Sequence, residues 1–147
     1  MSELYAVTSG DPAGIGPDIS LKIALREDNH QFVVFGNMDL LKERAEMHSM
    51  DIKFIEFDEA TSDSQIQKNT LLVKNFNLNQ SVEPGVMDSK NGSYTLSLID
   101  DAVEGCVDGR FTGCITGPVN KESIAKSGYE FSGHTEYIGK LCNQTPV

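Results

Sequence analysis

Basic residues are scarce in this 147-residue chain: 12 Lys and Arg stand against 22 Asp and Glu, a formal net charge of −10. No basic run occurs, which excludes the clustered Lys/Arg surface of a nucleic-acid binder. A small anionic ligand is still open to the chain, because a few local cations and backbone amides suffice for one; Arg110, Lys121 and Lys126 are candidates. Long apolar runs are also missing. None approaches the ~20 residues of a membrane-spanning helix, and no basic segment followed by an apolar one marks a secretory signal. The expected location is the cytoplasm. Cysteine is limited to Cys106, Cys114 and Cys142. This odd number without C-x-x-C spacing supports neither a zinc knuckle nor a redox motif, so the three are expected to be reduced, mostly buried and structural. There is no H-E-x-x-H pair, no G-x-S-x-G elbow, and no acid/base pair that spacing alone identifies.

What is present alternates in type. The length suits one domain, and 39% hydrophobic residues can build a core. Strands are expected at Leu4–Thr8, Gln31–Asn37, Asp51–Phe57, Leu71–Phe76 and Phe111–Thr116 from apolar, β-prone runs. Helices are expected over Ile19–Arg26, over Met38–His48 with Leu40, Leu41, Ala45 and Met47 inward, and from Asp88 or Asn91 to Val107. In the last of these, Leu96, Ile99, Val103 and Cys106 recur at helical spacing beside Leu98 and Ala102. Asn120 caps a further helix over Lys121–Ser127, and His134 or Thr135 begins the last, running toward Cys142. Residues 60–69 and 77–85 read as loops, and Thr145-Pro146-Val147 as extended chain opening another strand. Alternating strands and helices predict a three-layer α/β fold, with a largely parallel sheet and helices on both faces. No internal domain boundary is marked.

Three turns carry the chemistry. The first, Gly10-Asp11-Pro12-Ala13-Gly14-Ile15-Gly16-Pro17, links the first strand to the first helix. Glycine tolerates positive φ and close approach, and such turns often bind phosphates. Its spacing is neither G-x-G-x-x-G nor a Walker loop, and the same residues would serve a tight connection that binds nothing. The second turn is Thr116-Gly117-Pro118-Val119-Asn120-Lys121, and the third is Ser132-Gly133-His134-Thr135-Glu136. In an open parallel sheet, turns at the carboxyl ends of strands converge on one edge, where ligands bind. Candidate ligand contacts are His134 and Thr135 at a helix start. Gly10, Asp11, Gly14, Gly16 and Lys121 are candidate cleft lining. Each has a plainer role available: His134 and Thr135 as caps, Lys121 as a surface cation, Asp11 as a partner for a loop amide. His30 and His48 sit in polar contexts and are expected on the surface.

Taken together and in order, Thr8–Pro17, Ile115–Lys121 and Phe131–Glu136 resemble the 4-hydroxythreonine-4-phosphate dehydrogenase family of pyridoxal phosphate biosynthesis. The resemblance spans nearly the whole chain. It implies an isocitrate/isopropylmalate dehydrogenase-like fold, incomplete here, with residues 1–147 as the N-terminal portion of a larger enzyme. It further implies NAD-dependent oxidation of 4-phosphohydroxy-L-threonine, followed by loss of carbon dioxide to give 3-amino-2-oxopropyl phosphate. A divalent metal such as zinc, magnesium or cobalt would polarise the reacting oxygen. The family's substrate-binding His-Thr pair falls on His134 and Thr135. Its three metal-binding histidines, and most of its NAD site, lie beyond the segment that ends here, so no metal ligand is expected in this chain and the chain alone is expected to be inactive. A homodimer is implied for the full-length protein.

Two other readings use the same turns. One is a dehydrogenase of phosphorylated four-carbon sugar acids. The other is a non-catalytic α/β module that holds a phosphorylated ligand. An incomplete sheet would leave an edge and an apolar face uncovered, so weak solubility or loose folding is expected of the isolated chain.

Overall fold

The computed structural model describes residues 3–59 and 66–144. Five parallel strands form one sheet in the order β3-β4-β2-β1-β5. They are β1 (Leu4–Thr8), β2 (Gln31–Gly36), β3 (Lys53–Glu56), β4 (Thr70–Asn75) and β5 (Gly113–Thr116). The helices are α1 (Gly16–Leu21), α2 (Met38–Met47), α3 (Gly92–Val107), α4 (Lys121–Lys126) and α5 (His134–Leu141).

Alternation along the strands sends side chains to both faces, and both are covered. Val34, Leu71 and Val73 pack against Leu21, Ala24, Leu41 and Ala45 of the α1–α2 layer. On the opposite face, Ala6, Val33, Phe35 and Leu72 meet Tyr94, Leu98 and Ala102 of α3. A sheet buried on both faces requires the near-continuous apolar runs seen in β2 and β4. Helix α3 is apolar on a second stripe as well. Leu96, Ile99 and Val103 pack against Ile124 and Phe131, which fixes α4 and α5 outside α3. The three-layer α/β architecture expected from the sequence is the one observed.

Several boundaries differ from expectation for identifiable reasons. Helix α1 starts earlier, at Gly16, because Pro17 sits in its first turn, where a missing N–H costs nothing. It tightens into a 3-10 turn over Lys22–Leu25. Strand β5 starts later, at Gly113, because the Phe111 amide donates to Gly105 O at 3.0 Å and closes α3 instead. Phe111 then turns inward onto Phe35, ring centroids 5.4 Å apart. Met47 is 62% exposed rather than inward. The cysteines are free but half-buried. His30 and His48 are exposed, as expected. Most of the 60–69 loop and the Thr145–Val147 strand opening lie outside the described residues.

Candidate functional site

Parallel strands bring their carboxyl ends to one edge, and the first two turns meet there. Gly117 N donates to Thr8 O at 2.8 Å, and Asp11 N donates to Pro118 O at 3.0 Å. The contact is backbone against backbone. A Cβ on Gly10, where φ is +76°, would lie 2.2 Å from Pro118 O; one on Gly16 would lie 1.9 Å from Ser9 O; one on Gly117 would lie 2.4 Å from Thr8 O. These glycines are needed because chain fills the space beside them. Gly16 also lines a cleft with Ile19 and Pro118. Gly14 differs: its nearest neighbour would be 3.5 Å away, an ordinary contact.

Asp11 is 5% exposed, and its Oδ1 accepts the Ala13 amide at 2.9 Å. Burial raises its pKa against the lowering effect of that bond. It holds the turn, the plainer of the two roles the sequence left open. Behind the turn, Ser9 Oγ donates to Phe35 O at 3.0 Å, and the buried Tyr94 hydroxyl accepts the Asn37 amide at 2.9 Å. Burial pushes the Tyr94 pKa up to about 12, so it stays a neutral phenol.

The second group of candidates gathers at the start of α5. Asn120 Oδ1 accepts Ser123 N at 2.7 Å and caps α4, as expected, which places Lys121 in the first turn of that helix. The Lys121 ammonium stands 3.7 Å from the position a Cβ of Gly133 would occupy, and Glu136 Oε2 3.0 Å from it. Gly133 is the N-cap of α5 and no side chain caps that helix, so neither His134 nor Thr135 has a capping role. Thr135 is exposed. The His134 ring packs edge-on to Phe131 at 5.6 Å, and its Nε2 is buried with no hydrogen-bond partner among the described residues. Burial lowers the His134 pKa, and the charge of Lys121 lowers it further. The ring is thus a neutral imidazole beside an ammonium, suited to hydrogen-bond an oxygen of an anionic molecule.

The Gly117–Lys121 segment joins the two groups, touching the first turn at Pro118 and the α5 start at Lys121. The other two candidate cations have partners of their own: Arg110 pairs with Asp108 at 2.8 Å and Lys126 with Glu122 at 2.7 Å. A cleft lined by Thr8, Ile19, Ile115 and Pro118 lies between α1 and β5.

The comparisons with known proteins give this arrangement a family. The profile described as "PdxA: Pyridoxal phosphate biosynthetic protein PdxA" matches residues 28–147. The chain belongs to the PdxA family. A 4-hydroxythreonine-4-phosphate dehydrogenase of Pseudoalteromonas translucida is 39% identical over the whole chain, which covers 44% of that protein. The enzyme of the same name from Pseudomonas aeruginosa is 37% identical, with 45% of it covered. Among solved structures, a 4-hydroxythreonine-4-phosphate dehydrogenase of Klebsiella pneumoniae superposes with a TM-score of 0.87 at 29% identity, over 98% of this chain and 46% of that one. A terephthalate 1,2-cis-dihydrodiol dehydrogenase of Burkholderia xenovorans shares the fold, with a TM-score of 0.76 at 21% identity. The chain thus spans somewhat less than half the length of the PdxA relatives it matches.

One residue at this edge escaped sequence reasoning. Arg44 of α2 is 2% exposed and reaches the first turn. Its signal was a charge inside the inward stripe Leu40, Leu41, Arg44, Ala45, where a solvated helix face offers no place for it.

Proposed function

We propose that this chain supplies the substrate-holding portion of a 4-hydroxythreonine-4-phosphate dehydrogenase. The observation that carries the reading is the buried His134 Nε2, without a hydrogen-bond partner among the described residues and beside Lys121, in a chain of this family. His134 and Thr135 bind polar oxygens of 4-phosphohydroxy-L-threonine. Lys121 adds a positive charge for its phosphate or carboxylate, and Gly10–Gly16 forms one wall of the cleft. The complete enzyme oxidises the hydroxyl with NAD, and the resulting β-keto acid loses carbon dioxide. Residues 1–147 act as its N-terminal portion, the complete enzyme as a cytoplasmic homodimer.

Two groups in that chemistry do not fit the residues described. No cluster of His, Cys, Asp or Glu among the described residues could hold a metal ion. The spacing of Gly10, Gly14 and Gly16 is not that of a dinucleotide fingerprint. The role proposed for this chain is to bind and orient the substrate.

The test is a chimaera of this chain with the segment of the Pseudoalteromonas translucida relative that lies outside the match. It is assayed with divalent metal and NAD for NADH formation. Turnover of 4-phosphohydroxy-L-threonine, lost in His134→Ala, is expected. A folded chimaera that leaves this substrate untouched, beside an active parent enzyme, refutes the reading. Turnover only of phosphorylated four-carbon sugar acids moves the assignment to that substrate class.

A further inference from the structure

We infer that Arg44 is a positioning residue for the first turn, holding the Asp11–Gly16 wall of the cleft in one conformation. The inference rests on the reading of that turn as cleft wall. Its observations are independent of that reading.

Every carbonyl from Asp11 to Gly14 has a partner, and Arg44 supplies half of them. Asp11 O accepts Gly14 N at 3.1 Å, and Ala13 O accepts Gly85 N at 2.8 Å. Pro12 O accepts Arg44 Nη2 at 2.8 Å, and Gly14 O accepts Arg44 Nη1 at 3.1 Å. Alternate carbonyls are therefore held from two directions, by α2 and by the loop carrying Gly85. The guanidinium suits this task. Its rigid fork reaches two carbonyls and still leaves Nη1 to pair with Asp18 Oδ2 at 2.7 Å. A lysine ammonium at the same depth has one nitrogen for three oxygens.

The charge is balanced within the same unit. Asp18, on α1 directly after the turn, faces Arg44 with one oxygen and takes His48 Nε2 at 2.8 Å on the other. Turn, α1 and α2 are thereby joined through one buried cation. A residue needed only to fill the α1–α2 contact would be apolar, like its neighbours Leu41 and Ala45. A buried cation is tolerated only where polar partners surround it. Here those partners are two turn carbonyls and the Asp18 carboxylate.

The experiment compares Arg44→Met with Leu98→Ala, a cavity variant on the opposite face of the sheet. Both are read by amide hydrogen exchange and by calorimetric titration with 4-phosphohydroxy-L-threonine. Arg44→Met is expected to lower protection at Ala13 and Gly14 by about tenfold or more, the loss expected for hydrogen bonds to a charged group. Protection in β1 and β2 should fall no further than in Leu98→Ala. Ester affinity should drop in parallel, and low concentrations of methylguanidinium should restore both. Arg44→Lys carries the same comparison if Arg44→Met does not fold. Unchanged protection at Ala13 and Gly14, or an equal selective loss there in Leu98→Ala, overturns the inference. Absence of ester binding by the unsubstituted chain refutes the substrate reading alone, and the turn amides still judge Arg44.

Discussion

Gly10 and Pro118, over a hundred residues apart in sequence, are packed so closely that a single methyl group would not fit between them. A Cβ on Gly10 would stand 2.2 Å from the Pro118 carbonyl oxygen. The first turn and the β5–α4 turn are therefore one structural unit.

Gly10→Ala must displace the Pro118 backbone and hold an alanine at positive φ. A destabilisation of roughly 3 kcal/mol follows. Gly14→Ala meets only an ordinary contact and no positive φ. It should be neutral or stabilising by about 0.5 kcal/mol. Urea unfolding of the two variants checks the contrast. Equal effects would show that the turns do not interlock.

Much of this architecture is legible in the sequence. The α/β alternation and the α3 stripe follow from period and composition, and the Asn120 cap from its side chain. For α3 the spacing marks Leu96, Ile99 and Val103 with Leu98 and Ala102 beside them, but not that the two sets pack against different layers. What escapes is long-range. Nothing local shows that Gly10 faces Pro118 or that Arg44 reaches Pro12, because those contacts depend on strand order. Nor does spacing show why Gly16 is glycine. A turn that cradles a ligand and a turn that cradles another turn have the same residues. For His134 the structure removes the capping alternative, because Gly133 takes the N-cap position.

His134 gives a pH signature. Its folded-state pKa lies below the ordinary 6.5, through burial and then the charge of Lys121. The contribution to stability is full above about pH 6.5 and is lost as pH falls through the lower folded-state value, because the unfolded chain takes up the proton first. Lys121→Met removes one of the two causes and should raise the His134 pKa toward its ordinary value. NMR titration of the ring protons reads both. A His134 pKa above 6.5, or one indifferent to Lys121, would contradict the described site.

The free edge of β5 gives a third expectation. Among the described residues β5 pairs only with β1, and Ile115 is 50% exposed beside the α1 cleft. An unpaired edge with an apolar side chain templates association. The isolated chain should self-associate with rising concentration in sedimentation velocity, and Ile115→Lys should reduce this. A monomer at every concentration would show that the edge is already protected.

The most direct measurement is a titration of the isotopically labelled chain with 4-phosphohydroxy-L-threonine, followed at His134, Thr135 and Lys121. Saturable shifts at these three, abolished in a folded His134→Ala variant, are expected if the substrate is held at the start of α5. Saturable binding that survives His134→Ala unchanged, or shifts confined to the α1–β5 cleft, would contradict that assignment.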